Sequence, residues 1–261
     1  MALFTILYNL FLHKFVSILI KGDIYLPSMK WYVSVVEELR HETPTIDLVK
    51  LKMDIDYEFR PGQWALLEFE ENNPAMKRVL SIACSPTRRG YIEFATRISN
   101  SDFKQRFKNL KKGDKVRVSE AKGNFVFNED DKSAVFLSGG IGITPLRSMI
   151  QYVCDKRLKN KIMLLYSNRT VEEIAFRTEF EELEKSNPNL RIINIVTDSG
   201  SAWKGLSKRI DANIIREYSD VKNDVYYVCG PQVMVDAMVN ILNSLSVSKD
   251  RIKFENFSGY K

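Results

Sequence analysis

Two glycine turns stand where a backbone could cradle a phosphate. The first, Gly139-Gly140-Ile141-Gly142-Ile143-Thr144-Pro145, follows the apolar run Ala134-Val135-Phe136-Leu137-Ser138. The second, Cys229-Gly230-Pro231, closes Val225-Tyr226-Tyr227-Val228. A phosphate needs backbone N–H groups at close range, and a Cβ would block that approach. Thr144 is placed to cap the helix that follows and Pro145 to begin it. The start of that helix would offer free N–H groups and a positive dipole end to a pyrophosphate. The pattern is not G-x-G-x-x-G, so taken alone it reads either as a nucleotide turn or as a tight structural turn. Cys229 likewise reads as a buried strand-end thiol or as a thiol facing a ligand. Upstream, Arg78-Val79-Leu80-Ser81 sets an arginine and a hydroxyl three positions apart, a pairing able to hold a phosphate and a polar ring edge.

Other chemistries find little material. His13 and His41 are the only histidines, which leaves little for a serine–histidine triad or a multi-histidine metal site. The three cysteines, Cys84, Cys154 and Cys229, are widely spaced and odd in number. They suit a reducing compartment and make neither a disulfide scaffold nor a zinc or iron–sulfur site, so no metal is expected. The net charge of +6 favours an acidic partner or an anionic surface. Lys104, Arg106, Lys108, Lys111, Lys112, Lys115 and Arg117 crowd one stretch. It reads either as a solvated face or as a docking patch for an acidic protein. No sequence-reading motif accompanies it, so nucleic acid is not expected.

The elements that would position these residues fall into two groups. Trp31–Val36, Ile46–Met53, Trp64–Phe69, Arg78–Ile82, Tyr91–Ile98 and Lys115–Ser119 read as short strands punctuated by turns. That spacing predicts an antiparallel barrel, with one helix over Ser101–Leu110. From Ser133 the grammar becomes strand–helix alternation. Strands are expected at Ala134–Leu137, Ile162–Tyr166, Ile192–Val196, Val225–Val228 and Ile252–Phe254. Helices are expected over Pro145–Lys156, Val171–Glu184, Ser207–Glu217 and Gln232–Leu245. Such alternation predicts a five-stranded parallel sheet with helices on both faces. The polar run Asn128–Lys132 divides the two, giving expected domains of 29–129 and 130–261.

Residues 1–28 stand apart. Met1–Ile20 is mostly apolar, but Asn9, His13 and Lys14 interrupt it. A lysine near the middle of a span costs about 2.5–3.5 kcal/mol. Three readings stand: a tether lying on a membrane or partner, an over-long start ahead of Met29, or a buried helix. The compartment expected is cytoplasmic, either free or held at a membrane surface through residues 1–20.

The order of the motifs resembles the ferredoxin–NADP reductase superfamily, over about residues 30–261. Arg60-Pro61-Gly62-Gln63 is similar to its barrel turn, and Arg78-Val79-Leu80-Ser81 to its R-x-Y-[ST] flavin signature. Ala121-Lys122-Gly123-Asn124-Phe125 is similar to its G-P-x-G-x-F turn. Gly139–Pro145 and Cys229-Gly230-Pro231 with Met234 are similar to its nucleotide turn and its C-G-P-x-x-M. Glu255–Tyr260 resembles its C-terminal end.

The resemblance implies a Greek-key flavin-binding barrel followed by a nucleotide-binding α/β sheet, with FAD chosen over FMN and NADPH or NADH as reductant. It implies that Arg78 meets the flavin phosphate and that Ser81 hydrogen-bonds near the hydride-accepting nitrogen. Val79, Leu80 and Thr96 fall among the flavin contacts, and Ser101 and Lys104 face the diphosphate. Gly139, Gly140, Gly142, Thr144, Pro145, Gly230, Pro231 and Met234 fall to the pyridine nucleotide. Cys229 and Glu255 lie by the nicotinamide, so Ser81, Cys229 and Glu255 are the expected catalytic group. Tyr260 either stacks on the isoalloxazine or belongs to an exposed tail. Arg169 either pairs a 2′-phosphate or bonds a carboxylate such as Glu172 or Glu173. Leu80 departs from the signature, keeping apolar contact but losing the stacked ring and hydroxyl. Ala121 and Lys122 depart from the Gly-Pro pair. The activity implied is hydride transfer from NAD(P)H to FAD, then single electrons to a separate ferredoxin, flavodoxin or cytochrome. The alternatives are a membrane-associated cytochrome reductase and a non-catalytic nucleotide-binding subunit.

Overall fold

The computed structural model describes residues 29–53, 57–198, 200 and 203–257. The segment 1–28 and Tyr260 lie outside the described residues. Among the described residues no helix is long and apolar enough to cross a membrane.

The first part is a six-stranded antiparallel sheet of β1 (Trp31–Thr43), β2 (Ile46–Lys52), β3 (Trp64–Glu68), β4 (Lys77–Ser81), β5 (Tyr91–Arg97) and β6 (Lys115–Ser119). The order is β4-β3-β6-β1-β2-β5. A single bridge, Ile82 to Phe94, joins the two ends and closes the barrel. Alternate side chains point inward, and Val49, Leu51, Leu67 and Phe94 fill the interior. The helix α1 (Asp102–Lys108) covers one end with Phe103 and Phe107, both fully buried.

β1 runs past the expected end at Val36. Its first half pairs with β6, and a register irregularity between Val36 and Glu38 lets it continue along β2 to Thr43. The charged run Glu37–Glu42 has low strand preference, but pairing along β2 decides the matter.

The second part is a five-stranded parallel sheet of β7 (Ser133–Gly139), β8 (Lys161–Asn168), β9 (Leu190–Val196), β10 (Val225–Pro231) and β11 (Ile252–Phe257). Helices α2 (Ile143–Asp155), α3 (Arg177–Ser186), α4 (Ala212–Tyr218) and α5 (Gln232–Ser244) flank it. The order β11-β10-β7-β8-β9 reverses between β7 and β10. At such a switch point the helices leave on opposite faces and open a crevice at the strands' carboxyl ends. One apolar cluster lies under α4 and α5, with Leu137, Ile214, Val228 and Met238. The other lies under α2 and α3 and takes in Ile46, Leu48 and Ala95 from the barrel, so the two parts share a core.

Two helices differ from expectation. The stretch expected as one helix over Val171–Glu184 is a short 3-10 turn at Val171–Glu173, then α3 from Arg177. Phe176 breaks it with φ +59°, a left-handed conformation costing roughly 1–2 kcal/mol. Burial of Ile174, Ala175 and Phe176 in the shared core offsets that cost. The helix expected from Ser207 begins at Ala212, because Asp211 caps it by accepting from the Ile214 N–H at 2.8 Å. Leu206 bridges to Ile195 instead.

Candidate functional site

The two glycine turns meet at the switch point. Ser138 on β7 lies in register with Cys229 on β10, and Cys229 with Glu255 on β11. The glycines are required first by this meeting. A Cβ on Gly142 would stand 2.3 Å from the Cys229 carbonyl oxygen and 2.5 Å from Gly230 Cα. A Cβ on Gly139 would stand 2.3 Å from the Met234 sulfur, which also packs over Gly230. Gly140 has φ +52° and remains half-exposed, so it is the turn residue best placed to bring backbone toward a ligand. Tyr166 on β8 donates its hydroxyl to the Gly140 carbonyl at 3.0 Å and fixes the turn from below.

Thr144 is not the cap of α2. The helix already starts at Ile143 with Gly142 as the capping residue. Thr144 sits in the first turn, buried, and donates its hydroxyl to the Ile141 carbonyl at 3.1 Å. The 3-10 turn Gly140–Gly142 runs directly into α2 and brings the helix start forward. Pro145 therefore lies in the first turn but not at its first position. Pro231 precedes Gln232 as the capping residue of α5.

The barrel contributes a wall. β4 is laddered only to β3, and β5 reaches it only at the Ile82–Phe94 bridge. Arg78, Val79 and Leu80 thus lie half-exposed on a free strand edge. Extending the bridge register would set Leu80 opposite Thr96. Arg78 Nη1 donates to the carbonyls of Pro74, Ala75 and Lys77, and its guanidinium lies 5.4 Å from the centre of the Phe103 ring. Ser101 precedes α1 as its capping residue by backbone position, without a side-chain cap bond. Lys104 carries a lowered pKa, first from burial and then from Arg78 and Arg97. Three cations therefore converge on one face of the barrel, the chemistry of an anion site.

Arg97 was not visible as a site residue in the sequence. It donates to Thr45 at 2.6 Å and pairs with Glu173 at 3.3 Å, and its guanidinium approaches the open side of Gly140. The one signal was its place at the end of a strand shortly before Ser101. It links the cationic face to the nucleotide turn.

The two walls touch at Ser81. Its hydroxyl donates to Glu255 Oε2 at 3.5 Å, a long contact between barrel and parallel sheet. Burial pushes the Glu255 carboxyl up to about 7, with the Ser81 hydroxyl pulling the other way. Cys229 is fully buried, and burial and then the Glu255 charge push its thiol well up. It is held neutral, as a small apolar neighbour rather than a nucleophile. Ser81, Cys229 and Glu255 are thus brought to one locus. Arg169 lies apart, exposed at the end of β8, 3.8 Å from Asp198 rather than on Glu172 or Glu173.

Residues 136–240 match the family model of the oxidoreductase NAD-binding domain. The phenol hydroxylase P5 protein of Acinetobacter pittii is 28% identical over 233 residues, 87% of this chain and 65% of that protein. A component of the Na(+)-translocating NADH-quinone reductase of Haemophilus influenzae is 31% identical over 200 residues, 70% of this chain and 48% of that protein. The chain spans less than two thirds of the length of these relatives. The cytochrome b5 reductase domain of Ulva prolifera nitrate reductase superposes with a TM-score of 0.77 at 21% identity, covering 87% of this chain and 97% of that one. A ferredoxin NADP+ reductase from Neisseria gonorrhoeae with bound FAD and NADP does so with a TM-score of 0.77 at 19% identity, covering 88% and 99%. The two-part fold is the one these reductase structures share, and residues 136–240 carry the match to the oxidoreductase NAD-binding domain.

Proposed function

We propose that this chain is a flavin-dependent reductase that takes a hydride from NAD(P)H onto FAD and passes electrons to a separate one-electron acceptor. The observation that carries this reading is the contact of Ser81 with Glu255, which joins a half-open barrel wall to the switch-point turn of a nucleotide sheet. The residues present fit both groups. The cluster of Arg78, Lys104 and Arg97 suits a diphosphate, and the free β4 edge from Arg78 to Leu80 suits a flat apolar ring. The Ser138 hydroxyl, buried at the end of β7, has no hydrogen-bond partner among the described residues.

When bound, FAD would supply the two-electron acceptor and the capacity to release electrons singly. The protein's part is placement. Arg78 and Lys104 hold the diphosphate, with Ser101 beside them. Val79, Leu80 and Thr96 present the surface on which the ring lies. Gly139, Gly140 and Gly142 carry the nicotinamide nucleotide, and Gly230, Pro231 and Met234 wall it from the β10 side. Cys229 occupies little volume, so the nicotinamide can approach Ser81. The Ser81 hydroxyl orients toward the flavin, and Glu255 behind it exchanges its proton near neutral pH. Tyr260, outside the described residues, belongs to the same C-terminal end.

Arg169 is the exposed cation available to a 2′-phosphate, with Asp198 opposing it, and it makes the choice between NADPH and NADH. The acceptor is an acidic ferredoxin, flavodoxin or cytochrome docking near the basic stretch. Its Lys108, Lys111, Lys112 and Lys115 are all exposed. The test is turnover of the FAD-loaded chain with a small one-electron acceptor and each nucleotide in turn. Acceptor reduction that requires both FAD and one nucleotide is expected. No turnover with either nucleotide contradicts the reading.

A further inference from the structure

The helix that starts the nucleotide turn also grips the barrel just beyond Ser81. On α2, Arg147 Nη1 donates to the Ala83 carbonyl at 2.9 Å. The Ser148 hydroxyl donates to the Cys84 carbonyl at 2.5 Å. Gln151 Oε1 accepts from the Ser85 N–H at 2.8 Å. Consecutive barrel residues are thus each held by one side chain of a single helix. All three of these α2 residues are buried, none more than 2% exposed.

Carboxylates from both parts complete the arrangement. Arg147 pairs with Glu93 of β5 at 2.6 Å and with Glu179 of α3 at 2.9 and 2.8 Å. The Gln151 amide donates to the second oxygen of Glu179. Arg147 also lies 4.4 Å from the centre of the Phe176 ring, the residue whose left-handed backbone starts α3. Burial works against the guanidinium charge, but Glu179 and Glu93 more than offset it.

Apolar packing of similar volume would hold two domains together as well as a buried ion pair does. What the polar set adds is direction. A fork-shaped guanidinium bonded to a carbonyl and two carboxylates fixes both distance and angle. We propose that Arg147 is a positioning residue: through Ala83, with Ser148 and Gln151 holding Cys84 and Ser85 beside it, it sets where Ser81 stands relative to Glu255 and the nucleotide turn. It thereby governs the rate of hydride transfer rather than the affinity for either cofactor. This rests on the reductase reading above.

The experiment uses the FAD-loaded chain, its Arg147→Lys variant, which keeps the charge but loses the fork, and its Ser148→Ala variant. Flavin reduction at saturating nucleotide is followed by rapid mixing, beside the dissociation constants of FAD and of the oxidised nucleotide. Arg147→Lys is expected to slow reduction per bound flavin roughly 10- to 100-fold, since a displacement near 1 Å has that effect, with both constants changed by less than about threefold. Ser148→Ala is expected to slow it less, in the same direction, and decides the matter if Arg147→Lys does not fold. Reduction per bound flavin within about twofold of wild type in the folded variants overturns the proposal. So does a rate loss matched by an equal loss of nucleotide affinity. A wild-type chain that binds FAD but is reduced by neither nucleotide overturns the reductase reading itself, and shows this before any substitution is made.

Discussion

Glu255 carries the clearest titration in the site. Its carboxyl moves from the ordinary 4.5 to about 7, chiefly by burial. An acid raised in the folded state stabilises the fold while protonated. That contribution is full below 4.5 and is lost as pH rises through 7. Glu255→Gln removes the titration. Urea unfolding should therefore show the variant gaining on wild type by about 2 kcal/mol between pH 5 and pH 8. A difference that does not change with pH would show that the carboxyl titrates normally. Arg78 is tested by binding. Losing its charge-assisted bonds should weaken FAD roughly 10- to 100-fold in Arg78→Ala, by dialysis, with nucleotide affinity little changed. Ser81, Cys229 and Glu255 were readable as a group only through the resemblance that the order of their motifs carries. Their contact was not, since it depends on how β10 and β11 lie against the barrel edge. Arg97 was hidden because one arginine at a strand end has no pattern of its own.

At the scale of elements, the two turns impose a steric demand on each other. Gly142→Ala would drive a Cβ against the Cys229 carbonyl oxygen at 2.3 Å, and the contact is backbone that cannot swing aside. The variant should lose about 1–3 kcal/mol of stability and bind nucleotide poorly, while FAD binding in the barrel persists. A variant that binds nucleotide normally would show that β7 and β10 need not approach so closely. Strand–helix alternation was readable from Ser133 onward because buried parallel strands are continuous apolar runs. The barrel strands were readable from their turns. What misled was local grammar overruled by burial. Thr144 looked like a cap, but the 3-10 turn before it had already begun the helix. Val171–Glu184 looked like one helix, but Phe176 turns into the shared core.

At the scale of the molecule, charge is distributed unevenly. Within the basic stretch, Arg106 is paired with Asp114, and Arg117 with Glu68 and Glu71. Lys108, Lys111, Lys112 and Lys115 remain outward-facing. Electron transfer to an acidic protein acceptor should therefore slow steeply with ionic strength, and Lys111→Glu with Lys112→Glu should flatten that dependence. Reduction of a small neutral acceptor should change little. Equal salt dependence in the variant and the wild type would place docking elsewhere. The arrangement of the two parts was not readable from sequence, because Arg147 looks like any charged residue in a helix. Only its place beside Leu146, Met149 and Ile150 hinted at burial.

Hydride transfer requires that barrel and sheet bring a flavin and a nicotinamide together. An anaerobic absorbance titration of the FAD-loaded chain with NADPH, and separately with NADH, tests it most directly. A yellow protein that bleaches with about one equivalent of the preferred nucleotide is expected, since one hydride carries the two electrons a flavin takes up. A protein that takes up no FAD, or holds FAD that neither nucleotide reduces, would contradict it.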